Sequence, residues 1–109
     1  MPTIIRSALF KRQLLDITAS YRARAGSPIA RKFVDQIEDC IRLISARPLT
    51  CAVYTHIDDR EFRKCGLKHF PVSVFFRLEG KDAVVLEALY AHRMNISSRL
   101  PRDIDGATE

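Results

Sequence analysis

Apolar positions in the first half of the chain recur at helical intervals. Phe10, Leu14, Ile17 and Tyr21 follow one another at steps of four, three and four, which places them on one face of a helix. Ser7 offers a side-chain oxygen as an N-cap, and Arg22 and Arg24 suit the negative end of the dipole in the last turn. Gly26 can take the left-handed conformation that closes a helix. Ser27 then Pro28 signals a second start, because proline at the first helical position loses no hydrogen bond. Ala30, Phe33, Ile37, Ile41 and Ile44 keep the helical period until Arg47 and Pro48 stop it. Two apolar-faced helices joined by about three residues fold back as an antiparallel hairpin, too thin to bury its own stripe.

The remaining segments change period and supply the flat surface that the hairpin needs. Thr3 to Arg6 is short and β-branched, a first strand, and Glu61 to Cys65 reads as a second. Val72, Val74, Phe76 and Leu78 alternate with Ser73, Phe75 and Arg77, the two-residue period of a half-buried strand. Glu79, Gly80, Lys81 and Asp82 turn the chain, and the Val- and Leu-rich run from Ala83 to Ala91 returns. The order predicts an α+β domain: an N-terminal strand and an antiparallel helical hairpin packed on an antiparallel sheet, which a C-terminal three-stranded meander completes. From Ile96 the periodicity fades, and Pro101 with Asp103, Asp105 and Gly106 reads as a short turn and a loose tail over residues 103–109.

Length and composition narrow the classes open to such a fold. At 109 residues, 47% of them hydrophobic and 28% charged, the expectation is one domain over residues 1–109, not a barrel or a dinucleotide-binding sheet. No apolar run approaches the ~18 residues of a membrane span. Met1 to Phe10 lacks the sustained apolar stretch and cleavage site of a secretory signal, so a cytoplasmic location is expected. Cys40, Cys51 and Cys65 are an odd set, without the spacing of a disulfide framework or a paired zinc knuckle. Scattered as they are with His56, His69 and His92, they read as buried free thiols, with no metal or cofactor expected.

The formal charge of +5 is unevenly distributed. Residues 1–49 hold nine basic and four acidic side chains, and residues 60–99 hold eight and four, while Asp58 and Asp59 alone charge the stretch between. A basic surface attracts phosphate backbones or an acidic protein, and ordinary solubilising charge produces the same sum. No phosphate-binding glycine loop, nucleophile elbow or His-Glu-x-x-His occurs. Two clusters stand out. Arg60, Arg63 and Lys64 surround the second strand; Arg63 and Lys64 point oppositely on an extended chain, and the simplest reading is a charged edge strand that discourages aggregation. His92, Arg93, Met94, Asn95 and later Arg99 follow the last strand, where a histidine can serve as acid or base or simply as a packed or capping residue.

This order, with Phe70 to Leu78 reading Phe-Pro-Val-Ser-Val-Phe-Phe-Arg-Leu and residues 92–100 reading His-Arg-Met-Asn-Ile-Ser-Ser-Arg-Leu, resembles the RelE/ParE superfamily of toxins from type II toxin–antitoxin systems. The Phe-Pro-led strand and the closing His-x-Met-Asn run resemble the ParE branch, and the likeness covers nearly all of residues 3–102. In that light 109 residues match a whole toxin domain.

The resemblance implies two alternative functions. RelE-like members are ribosome-dependent endoribonucleases that use lysines on the second strand, arginines on the third and fourth, and a tyrosine beyond the last. Such a set can take a proton from the RNA 2′-hydroxyl and stabilise the developing phosphorane charge. Arg63, Lys64, His92 and Arg93 are its counterparts here. Pro71, Val72 and Ser73 stand where an arginine is expected, however, and no tyrosine follows Arg93. ParE-like members instead bind DNA gyrase and lead to trapped DNA breaks, which needs a recognition surface and no catalytic residues. His92, Arg93, Met94, Asn95 and Arg99 are then the target-binding candidates. Both branches imply a cognate antitoxin, acidic to suit residues 1–49, which docks beside the helical hairpin in a hetero-oligomeric complex and itself contacts DNA. By helical phase, Tyr21 and Phe33 face the core rather than that partner.

Overall fold

A computed structural model describes residues 2–92 and 99–103. Strand β1 (Thr3–Arg6) leads into helix α1 (Ala8–Ala25) and helix α2 (Ser27–Ala46). A short 3-10 turn at Pro48–Thr50 then precedes β2 (Ala52–Ile57), β3 (Arg60–Gly66), β4 (Val72–Glu79) and β5 (Ala83–Ala91). The five strands form one sheet in the order β1-β5-β4-β3-β2. The four strands from β2 to β5 pair antiparallel, and β1 joins β5 in parallel, so the sheet is mixed rather than wholly antiparallel. The helical hairpin is the crossover between β1 and the rest, long enough to let two strands run the same way.

Local chemistry accounts for the helix ends. The Ser7 Oγ accepts the Phe10 N–H at 3.0 Å and donates to the Glu87 carbonyl at 2.8 Å, so one hydroxyl caps α1 and fastens it to β5. Gly26 alone separates the two helices. Its φ of 92° is positive as expected, but its ψ of 166° is extended rather than left-handed, a region essentially closed to other residues. A Cβ there would meet Pro28 Cδ at an ordinary 3.7 Å, so the penalty on substitution is conformational. Gly26→Ala is expected to cost about 1–3 kcal/mol, read as a lower urea midpoint with an unchanged slope.

The sheet buries both faces. Phe10, Phe33, Ile37, Ile41 and Ile44 from the helices pack with Cys65, Val72, Val74, Phe76, Val84, Leu86 and Leu89 from one face. A second cluster holds Phe62, Phe75, Ala88 and Tyr90 on the opposite face, with Leu9, Ile57 and Leu100. Two irregularities adjust the alternation. Glu87 is an extra residue in β5, between the pairs Phe76↔Leu86 and Phe75↔Ala88, and its carboxylate meets Arg77 Nε at 2.8 Å. Tyr54 is the corresponding residue of β2, and packs against the second cluster.

Three sequence expectations change. Residues 52–57 form an edge strand that the hydrophobic pattern alone did not separate from the preceding loop, and Asp58 and Asp59, at φ 52° and 64°, make the tight hairpin turn into β3. That places β3 inside the sheet, so Arg60, Arg63 and Lys64 lie on an interior strand and not on a charged edge. The turn expected around Pro101 is a helical turn over residues 99–103, whose Leu100 is fully buried.

Candidate functional site

The candidate residues of the two sequence clusters divide between the sheet faces. Alternation along β3 sends Arg63 with Cys65 toward the helices and Lys64 with Phe62 to the other side. Arg63 is only 14% exposed, and its terminal nitrogens are committed: they donate to the Cys51 carbonyl at 2.7 Å, to the Leu49 carbonyl at 3.4 Å and to Glu61 Oε2 at 3.0 Å. Its geometry is that of a clamp on the entry to β2. Lys64 is exposed, with Nζ 5.3 Å from the centre of the Tyr54 ring.

The closing cluster begins where β5 meets β4. Pairing of Val72 with Ala91 and Ser73 with Tyr90 brings the ends of the two strands together. His92 extends the ladder by one step, donating its N–H to the Pro71 carbonyl at 2.8 Å, while its Nε2 lies 2.8 Å from Ser73 Oγ. The imidazole is thus pinned to β4 although the residue is exposed. Arg93, Met94 and Asn95 lie outside the described residues. Beyond them, Arg99 sets its guanidinium 5.5 Å from the Tyr90 ring centre and its Nε 3.7 Å from Asp103 Oδ2. Asp103 in turn accepts the Tyr90 hydroxyl at 2.7 Å. The residues on either side of 93–98 are therefore held by a Ser73–His92 contact before them and an Arg99–Asp103–Tyr90 contact after them. Sequence reading missed this second anchor; the i, i+4 spacing of Arg99 and Asp103 was the available signal.

These groups are engaged in contacts within the domain. Burial, and then the Asp103 carboxylate beside it, pushes the Tyr90 hydroxyl well above its ordinary range, so it stays protonated and supplies a hydrogen bond rather than a proton. Ser73 is 3% exposed, and among the described residues no carboxylate is hydrogen-bonded behind His92 to orient it as a base. The aromatic row Tyr54–Phe75–Tyr90, with centroid separations of 5.2 and 5.8 Å, is largely interior, since Phe75 and Tyr90 are fully buried. Buried rings have no free face on which a nucleic-acid base can stack. Among the described residues no group of three or more His, Cys, Asp or Glu side chains is suited to a metal ion, and no helix is long and apolar enough to cross a membrane.

A family model described as the ParE toxin of the type II toxin–antitoxin system parDE matches residues 4–96. The chain belongs to the ParE toxin family. The match spans both helices, β2 to β5, nearly all of β1, and His92, and ends before Arg99 and Asp103. Among solved structures, a chain of the chromosomal ParDE toxin–antitoxin system from P. aeruginosa has a similar fold, with a TM-score of 0.70 and 18% sequence identity over 84% of this chain and 96% of that one. No curated protein sequence matches significantly. As a ParE family member the chain is a toxin component of a type II toxin–antitoxin system, and an antitoxin is its implied partner.

Proposed function

We propose that this ParE family toxin arrests growth by binding DNA gyrase through the segment that follows β5, and that its antitoxin blocks it from the helical side. The observation that carries this reading is the fate of the basic residues an endoribonuclease would need. Arg63 is spent on two backbone carbonyls and Glu61, and the place expected of a third-strand arginine holds buried Val72 and Ser73. Lys64 stands over Tyr54, His92 is held by Ser73, and the Arg99 guanidinium over Tyr90 is engaged with Asp103, so none of the three is a free cation aimed at a common point. A recognition surface needs no such convergence. By sequence, His92, Arg93, Met94, Asn95 and Arg99 include cationic and apolar residue types that serve as interface anchors, and the flanking His92 and Arg99 are held to the domain.

The antitoxin is assigned to a different surface. Leu15, Leu43 and Leu49 are exposed large apolar side chains on the helices and the turn after them. A cavity of about 460 Å³ lies between α1 and the sheet end, lined by Ile17, Tyr21, Arg24, Pro71, Val72 and Ala91 among others. Apolar contacts rimmed by the basic residues of 1–49 suit an acidic segment that lays down a helix. Because the attraction is between opposite charges, association of the purified toxin and antitoxin is expected to slow as salt rises, with a much smaller change in dissociation. Stopped-flow rates at several salt concentrations measure it, and salt-independent association would mean that charge does not steer the encounter.

The deciding experiment expresses the toxin without antitoxin and follows two readouts. Inhibited supercoiling by purified gyrase, with intact messenger RNA on primed ribosomes, is the expected outcome. Cleavage of messenger RNA in the ribosomal A site with unimpaired gyrase would replace this reading by the endoribonuclease one.

A further inference from the structure

Three cysteines that lie apart in the chain converge where α2 crosses β2 and β3. The Cys40 thiol donates to the Cys65 carbonyl oxygen at 3.7 Å, the Cys65 thiol points to the Gly66 carbonyl at 4.0 Å, and both Cys40 and Cys51 lie close enough to Cys65 to act on it. None of the three belongs to the surfaces discussed above. Cys40 and Cys65 also share the wall of a cavity of about 310 Å³, which Leu43, Gly66, Lys68 and His69 help to line. Lys68 and His69 are exposed at its rim, as is Asp39 from α2, and Arg63 lies close enough to Cys51 to act on it electrostatically. Two nearly buried thiols on adjoining elements, one of them hydrogen-bonded to the backbone of the other and both facing an opening large enough for a small reagent, are an arrangement that ordinary core packing does not require.

We propose that this cleft is a thiol-oxidation site, in which Cys65 reacts with a hydroperoxide and Cys40 converts the product to an intramolecular disulfide. In the first step the Cys65 thiolate attacks the terminal oxygen of the hydroperoxide. An S–O bond forms, the O–O bond breaks, and the leaving alkoxide or hydroxide takes a proton to depart as alcohol or water. Cys65 is then a sulfenic acid. In the second step the Cys40 sulfur attacks the Cys65 sulfur and the S–O bond breaks. The departing hydroxide takes the Cys40 proton and leaves as water, so two thiols have lost two electrons to the peroxide. The product ties α2 to β3.

The electrostatics of the cluster suit that division of roles. The Cys40 hydrogen bond above all, opposed by burial and aided by the Cys51 hydrogen bond, draws the Cys65 thiol down to about 7. Burial first, and then the neighbouring Cys65, pushes Cys51 up to about 11. Cys40 is raised further, first by its hydrogen bond to Cys65 and then by burial, so at neutral pH it donates while Cys65 shares the anion. Oxidation of Cys65 to a neutral sulfenic acid removes the charge that holds the Cys40 proton, which frees the second sulfur for attack.

The test uses the whole folded chain, reduced, freed of reductant and exposed to hydrogen peroxide. Remaining thiols are alkylated, and digestion with mass spectrometry maps the products. The expected result is a peptide pair joined through Cys40 and Cys65, with Cys51 alkylated. Formation at pH 7 should be about tenfold faster than thiol oxidation in the urea-unfolded chain, because the thiolate fraction is larger. Its rate should rise with pH to half its plateau near 7, where Cys65 titrates. Cys40→Ala should leave a sulfenic acid on Cys65 that a dimedone probe traps, and Cys65→Ala should lose both products. Oxidation no faster than in the unfolded chain, or a crosslink that uses Cys51, would overturn the proposal. The mapping is done on the unsubstituted protein, so its result stands even where a variant fails to fold.

Discussion

Phe33→Ala is expected to remove about 3–5 kcal/mol of stability, the largest loss from any single truncation on the helical hairpin. Phe33 is fully buried on α2, and its ring centre lies 5.1 Å from that of Tyr21 on α1 and 5.4 Å from that of Phe70 in the β3–β4 connection. Tyr21 and Phe70 are themselves 5.1 Å apart, edge to face, which closes a triangle of rings. One residue thus holds together three segments that no strand ladder joins. Deleting the ring leaves a cavity among neighbours fixed by their own elements, where collapse is limited and the cost falls at the upper end of the range. Small domains have only about 5–15 kcal/mol in hand, so the variant should be partly unfolded at moderate temperature. Leu15→Ala on the same hairpin is the contrast: Leu15 is 71% exposed, and its change should lie within about 0.5 kcal/mol. Urea midpoints at constant slope measure both. Equal losses at the two positions would mean that the hairpin is not anchored through this triangle.

Phe33 was legible in the sequence, because a helix that must cover a sheet writes its buried face at a period near 3.6 and the contacts along that face are local to one element. The same holds for Ser7 as cap and for the β4–β5 hairpin, whose apolar strands and intervening turn were legible, although β4 is buried on both faces from Val72 to Phe76 and not half-buried in alternation. The elements that escaped notice are those whose pairing partner, rather than their own pattern, decides them. Strand β2 is mostly exposed at the sheet edge, and its bulge at Tyr54 breaks the alternation that would have announced it. Val53, Tyr54, Thr55 and Ile57 ahead of two residues suited to a tight turn were the signal. Strand β1 read correctly as a strand, but its parallel place beside β5 depends on the crossover that the helices provide. At the candidate site, the Ser73–His92 contact joins residues 19 apart and the Tyr90–Asp103 contact residues 13 apart, and no local rule relates either pair. The cysteine cluster is the extreme case: spacing argued against a framework of disulfides, yet three elements bring the sulfurs together.

Arg93→Ala should weaken toxicity more than any other truncation on the closing segment, while antitoxin binding persists. The surroundings of that residue are the reason. His92 is held against Ser73 and the Pro71 carbonyl, and Arg99 stands over Tyr90 beside Asp103, so both flanks of residues 93–98 are committed to the domain itself. Truncating either flank loosens the anchor and mixes a folding effect with a binding effect. Arg93 lies between the two, and arginine is the residue type whose planar, weakly hydrated cation most often dominates a protein interface. If the segment is the gyrase-directed surface, its loss should cost about 2 kcal/mol or more in target affinity, close to thirtyfold. Growth inhibition should fall accordingly, with the urea midpoint unchanged and the antitoxin complex intact if the antitoxin docks on the helical side as proposed. Loss of antitoxin binding together with toxicity would mark a folding defect instead. Lys64→Ala tests the rival chemistry on the same sheet face. A ribonuclease would depend on that exposed ammonium near Tyr54 and lose messenger RNA cleavage without it, whereas a gyrase ligand built on residues 92–99 should be affected less by Lys64→Ala than by Arg93→Ala.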